Sequence, residues 1–179
     1  MKQSFFLMML LISLFTSAQK KKETLSFLTS LEINQLRTLG GSLSMHSPFS
    51  KLFSIGAGID LIRVRNTSKN VVPIYLDTRF NFQVKNIQPF LFLQGGIPAY
   101  NELLSGPANT NRTELKGKSF LGSGVGFSVG KSTAKVKPFW SFKYRIYQFA
   151  ETFTRTLERP QVMARSEREQ FTFSLGIQY

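Results

Sequence analysis

The chain of 179 residues has no cysteine. Disulfides, thiolate metal sites, a cysteine nucleophile and a lipidated cysteine anchor are all excluded. Histidine is single, at His46, so a metal site would need more ligands than the chain offers. Tryptophan is single as well. Acids are scarce, with 10 Asp and Glu against 23 Lys and Arg, and the formal net charge is +13. Such a balance points to anionic partners: nucleic acid, or the phosphates of phospholipid and lipopolysaccharide. A helical membrane protein is excluded by a mean hydropathy of −0.08. A barrel is not, because only alternate residues of its strands meet lipid.

One apolar run exists, Phe5 to Phe15. It is too short to span a bilayer as a helix. Lys2 precedes it and Thr16-Ser17-Ala18 follows, so the segment reads as an export signal. Cleavage is expected after Ala18, leaving residues 19–179 as one domain that begins with a solvated Lys20-Lys21-Lys22 tail.

What is abundant is alternation. Phe171, Phe173, Leu175, Ile177 and Tyr179 share one face of a strand, with Thr172, Ser174, Gly176 and Gln178 on the other. The same period runs through 25–35, 37–46, 52–64, 73–84, 88–97, 119–130 and 136–149. That makes about eight strands, the smallest number for a bacterial outer-membrane barrel. No segment holds a helical period. Links near Ser47, Lys85 and Ser132 read as short turns, whereas 66–70, 101–117 and 151–169 read as longer loops. Short turns on one side and long loops on the other fit an antiparallel up-and-down transmembrane barrel. The link at 34–37 is a short exception.

The stretches Leu52-Phe-Ser-Ile-Gly-Ala-Gly-Ile-Asp, Pro73-Ile-Tyr-Leu-Asp-Thr-Arg-Phe-Asn-Phe and Gln88-Pro-Phe-Leu-Phe-Leu-Gln-Gly-Gly resemble the small outer-membrane β-barrel proteins of Bacteroidota, grouped with the porin-like and OmpA-like barrels. The ending Ile177-Gln178-Tyr179 is similar to the terminal aromatic signature read by the barrel-insertion machinery. The resemblance implies an outer-membrane location and partners in the lipid bilayer, lipopolysaccharide and that machinery. It implies little about activity. The peptidoglycan-binding domain of the OmpA-like proteins is not expected, since nothing follows Tyr179 in the sequence.

The inward faces gather Glu32, Asp60, Asp77, Arg79, Lys143 and Arg145. A barrel of eight strands fills with its own side chains, and buried charges must be paired. A structural salt-bridge network is the expected reading; a proton or solute path is the alternative. Inward glycines, Gly56, Gly58, Gly122, Gly124 and Gly126, are expected to leave room for long side chains opposite.

Enzyme and cofactor readings fare poorly. Gly130-Lys131-Ser132-Thr133 lacks the earlier glycine and the helix of a phosphate-binding loop. Gly122, Gly124 and Gly126 have the wrong spacing for a dinucleotide fingerprint. No catalytic, cofactor or metal residue is assigned. His46 is expected at the rim of the turn side, with no acid near it in sequence. Nucleic-acid binding needs aromatics interleaved with cations, whereas the aromatics here belong to the lipid face. The cations fall instead at turns and loop roots: Lys51, Lys85, Lys131, Lys135 and Lys137 at one end, Arg63, Arg65, Lys69, Lys116 and Lys118 at the other. Rim cations beside lipid phosphates are the expected account. Segment 151–169 mixes Arg and Glu and reads as a solvated mobile loop.

The leading expectation is a non-enzymatic outer-membrane barrel, filled inside, acting through its outer loops or as structure. A small-solute or ion transport barrel is the second reading. A soluble lipocalin-like ligand binder is the third, and its polar face would be richer in Lys and Glu than this one.

Overall fold

The alternating stretches form strands. The computed structural model describes residues 25–50, 52–105, 111–131, 134–155 and 162–179. The expected export signal lies outside them, as do Lys51, Ser132 and Thr133. The elements are β1 Ser26–Asn34, β2 Leu39–Pro48, β3 Phe53–Leu61, β4 Val72–Asn81, β5 Ile87–Ala99, β6 Asn101–Ser105, β7 Asn111–Val129, β8 Lys137–Arg155 and β9 Val162–Gln178. Among the described residues no helix is long and apolar enough to cross a membrane.

Every pairing is antiparallel, and β1 joins β9 from Leu28↔Gln178 to Asn34↔Thr172. β5 and β6 both pair with β7 and together make one stave, so the nine segments close a barrel of eight. Closure leaves no open edge at the level where all staves are present.

Outward positions carry the oily residues. Leu31, Leu39, Leu76 and Leu121 are among the most exposed, at 68%, 74%, 66% and 71%. Phe171, Leu175, Ile177 and Tyr179 also face out, while Thr172 and Ser174 are buried. Hence the expected face assignment of the last strand holds; the alternation of 88–97 likewise assigns Leu91, Leu93 and Ile97 outside and Phe90, Phe92 and Gln94 inside, as observed. Outward aromatics pair across strands: Phe127 stacks on Trp140, and Tyr144 lies 4.8 Å from Phe171. On β8 the oily outward set runs from Trp140 to Ile146 and then stops at Gln148. On this strand the belt is about 15 Å high, for a rise of ~3.3 Å per residue and a tilt of about 40°.

Two of the expected loops are largely strand. Segment 101–117 contains β6 and the start of β7, and 151–169 contains the end of β8 and the start of β9. The last strand begins at Val162, not at Phe171. Above the belt, β7, β8 and β9 continue as a curved sheet with β6. It stands roughly 20 Å beyond the oily band by the same rise and tilt. The reason these parts escaped the sequence pattern is a reversal of phase. On β8 the outward Phe142, Tyr144 and Ile146 give way to inward Tyr147 and Phe149, both fully buried. A register shift at Gly117/Ser119 changes the phase of β7 in the same region, leaving Leu115 buried. Below the change the strands are oily outside; above it they are oily inside, as in a soluble barrel.

Candidate functional site: a filled and capped lumen

From the turn end upward the interior is layered. Leu28, Phe90, Phe92 and Phe139 pack as an apolar plug. Gly124 and Gly126 face it because there is no space for a side chain: a Cβ would lie 2.3 Å from the Phe92 ring and 2.4 Å from that of Phe90. Next comes an ionic layer, and above it a second apolar plug made of Ile62, Val64, Val71, Tyr75, Tyr100, Leu115, Phe120, Tyr147 and Phe149.

The ionic layer brings together all six of the charges singled out in the sequence. Lys143 pairs with Glu32, and Arg145 with Asp60. Arg145 Nη1 lies 3.7 Å from the second Glu32 oxygen. Arg79 donates to Asp77 from Nε and Nη2, each at 3.2 Å. Gln94 links the two groups: its Oε1 accepts from Arg145 Nε and Nη2 at 3.1 and 2.9 Å, and its Nε2 donates weakly to Asp77 at 3.5 Å. The Tyr75 hydroxyl donates to Asp60 at 2.8 Å. Each arginine also leans on a plug, Arg79 at 5.0 Å from the Phe90 ring centre and Arg145 at 5.8 Å from that of Phe120. Guanidinium over a desolvated ring adds about 1–2 kcal/mol.

His46 is not a rim residue. It is 1% exposed, inside the barrel, with Nε2 at 3.1 Å from Ser44 Oγ and 3.5 Å from Asp77. The strand order β2-β3-β4 supplies the acid that is missing nearby in sequence, because Gly56 pairs with both His46 and Asp77. The trio is nonetheless not arranged for acyl transfer. In a hydrolase the acid holds one ring nitrogen and the nucleophile uses the other. Here serine and aspartate share Nε2, and Nδ1 meets no hydrogen-bond partner among the described residues.

The mouth at the hairpin end is covered by the β3–β4 connection, residues 62–71. The polar stretch Asn66 to Asn70 is held over the opening at several points. Asn34 Nδ2 and Gln170 Nε2 both donate to the Arg63 carbonyl at 2.7 Å. Arg168 Nη1 donates to the carbonyls of Arg65 and Asn66 at 3.0 and 2.8 Å. The Ser68 amide donates to Glu102 at 3.3 Å, and the same carboxylate accepts from the Tyr100 hydroxyl. Arg168 is itself fixed by Glu151 at 3.2 Å and by the Phe149 ring at 4.8 Å. The charges of 151–169 are therefore not all loosely solvated; this pair clamps the cap.

Gln94, expected inward from parity, and Tyr100, Glu102, Arg168 and Gln170, which were not singled out in the sequence, all belong to the interior. The phase reversal above the belt is the signal that points to the last four. For Gln94 the signal was its inward parity in β5.

No family model matches the chain, and no curated protein does. Solved structures do. The N-terminal β-barrel domain of Pseudomonas aeruginosa OprF superposes with a TM-score of 0.55 at 8% identity, over 87% of this chain and 96% of that one. The outer membrane protein AlkL, solved in DMPC lipid bilayers, gives 0.58 at 11% identity, over 89% and 90%. Neisserial surface protein A gives 0.51 at 10% identity, over 86% and 92%. At such identities the likeness is one of fold: a small closed barrel of the outer-membrane type.

Proposed function

We propose that the protein is a non-enzymatic outer-membrane barrel whose lumen is a structural filling and whose working surface is the raised β6–β9 sheet. The observation that carries this reading is the continuous stack of apolar plug, ionic layer, apolar plug and cap, which leaves the outer hairpins as the part that reaches beyond the belt. The outward oily belt, the fold of the three structural neighbours and the export-signal pattern support the location. The stretches that resemble Bacteroidota barrels favour that group as its source. Its partners are the bilayer, lipopolysaccharide and, during assembly, the insertion machinery. The six central charges serve stability, because buried ions persist only when paired.

The absence of native cysteine allows a direct test. Gln148→Cys, on the raised sheet, should react with a membrane-impermeant maleimide on intact cells. Lys135→Cys, in the β7–β8 turn, should react only after the outer membrane is permeabilised. Equal labelling of both in intact cells would overturn the orientation, and no labelling of Gln148→Cys until permeabilisation would reverse it.

A further inference from the structure

The belt has a gap on the low side of the barrel. On β2 the outward row reads Leu39, Gly41, Leu43, so one lipid-facing side chain is missing. Gly41 is paired with Leu31 on one side and Leu61 on the other. The result is a groove of about 450 Å³ crossing β2, β3 and β4, with Gly41, Leu43, Ile59, Leu61 and Val72 along it and the polar Ser30, Ser42 and Asp60 at its inner side. Five of its eight lining residues belong to the outward parity of their strands, so the groove opens outward with its floor on the barrel wall.

The rim above this groove is cationic. Arg37 tops the β1–β2 turn and is exposed; Arg63 follows β3 and is half-buried. The two segments are tied together, since Asn34 accepts the Arg37 amide on its carbonyl at 2.9 Å while its side chain holds the Arg63 carbonyl at 2.7 Å. Arg65 and Lys69 lie further along the same connection. Between residues 34 and 76 the sequence has one acid, Asp60, and it is buried in the lumen against Arg145. The raised sheet is different: Glu114, Lys116, Lys118, Arg165, Glu167 and Glu169 mix both signs, and Glu169 borders this rim, its carbonyl accepting from Gln35 Nε2 at 3.0 Å. An oily groove beneath a rim dominated by Arg37, Arg63, Arg65 and Lys69 matches an amphiphile with acyl chains below and phosphate above.

We propose that the low side of the barrel is a binding site for one phosphorylated, acylated glycolipid of the lipid A type, with an acyl chain laid over Gly41 and a phosphate held by Arg37 and Arg63. This rests on the outer-membrane reading, which makes this rim the one that meets the outer leaflet. The missing side chain at Gly41 then has a use. It is not required by the wall, since a Cβ there would meet only the Ser30 carbonyl oxygen at 3.6 Å, an ordinary contact.

That last fact makes the test clean. Purified barrel in detergent is given hexa-acylated lipid A, or phosphatidylglycerol as a simpler phosphate lipid, and the retained lipid is counted by native mass spectrometry. The wild type should keep one lipid A and little phosphatidylglycerol. Gly41→Leu fills the groove; Arg37→Asn with Arg63→Gln removes the cations, and Asn tolerates the positive φ of 57° at that position. Each should lower lipid A retention at least about tenfold, for the loss of the groove or of the two charge-assisted contacts. Lys131→Gln with Lys135→Gln, at the turn end, should change nothing. Undiminished retention in either site variant overturns the site. So does equal retention of phosphatidylglycerol, or an equal loss in the turn-end variant, since either means charge alone. Insertion into vesicles, read from gel mobility before and after boiling, is followed in parallel. A barrel that does not insert contradicts the membrane reading and the site together; one that inserts but keeps lipid A in every variant contradicts only the site.

Discussion

Strands β1 to β4 are 9 or 10 residues long, whereas β7, β8 and β9 run to 19, 19 and 17. The short half ends near the top of the oily belt; the long half continues about as far again. Apart from the Arg79–Asp77 pair, which lies within β4, the halves also divide the interior charges. The acids Glu32, Asp60 and Asp77 stand on β1, β3 and β4, while Lys143 and Arg145 stand on β8. The ion pairs of Lys143 and Arg145 therefore cross the lumen and join the low half to the tall one. The cap does the same higher up, since it leaves β3 and is held by Arg168 of β9 and Glu102 of β6. A barrel with such unequal walls needs cross-lumen contacts, because among the described residues the tall sheet has no strand beside it on either edge.

The largest effect should come from cutting this joint. Arg145→Met leaves Asp60 without its cation and Glu32 with one cation fewer, and should destabilise the barrel by about 3–5 kcal/mol. Adding Asp60→Asn to it should recover part of the loss, as coupled neighbours do. Urea unfolding in vesicles measures both. Arg145→Met as stable as the wild type would mean the halves are not joined there.

The low half was legible because one of its faces must be oily and the other polar along its whole length. Phe53, Ile55, Ile59 and Leu61 against Ser54, Gly56 and Asp60 is the pattern itself. The tall half obeys the same rule only to Ile146 and Leu121. Beyond them the oily face turns inward and the outward one carries Lys116, Gln148 and Glu167, so the alternation changes phase and resembles the end of a strand. The central charges were legible from parity alone. His46 was not, because its acid is supplied by β4, two strands away. For the clamp on the cap, the phase reversal points to Arg168 as inward, but not to its contacts: its acceptors on the cap are main-chain carbonyls, which leave no trace in a sequence.

The phase change gives the next prediction. Leu121→Arg puts a charge in the belt and should cost about 2–4 kcal/mol of folded barrel, while Gln148→Arg, just above it, should cost under about 0.5 kcal/mol. The folded fraction on unboiled gels reports both. Equal tolerance would move the upper edge of the belt below Leu121.

A smaller and local effect is expected at the clamp. Arg168→Ala removes two hydrogen bonds from the cap and should speed amide exchange in 64–71 by about tenfold, for a loss of ~1.5 kcal/mol, without altering exchange in β1 or β3. Faster exchange throughout the barrel would make Arg168 part of the general framework instead. Least of all should come from Glu167→Gln, outward on the raised sheet, which should stay within about 0.5 kcal/mol of the wild type.

The central claim is that the tall and low walls enclose a solid interior. Current across a planar bilayer carrying purified, refolded protein tests it most directly. Phe90, Phe92, the paired ions, Tyr147, Phe149 and the cap should leave no continuous water column, so insertion should produce no steady conductance. Stable, large open-pore steps at low voltage from the wild type would contradict the account and favour the transport reading.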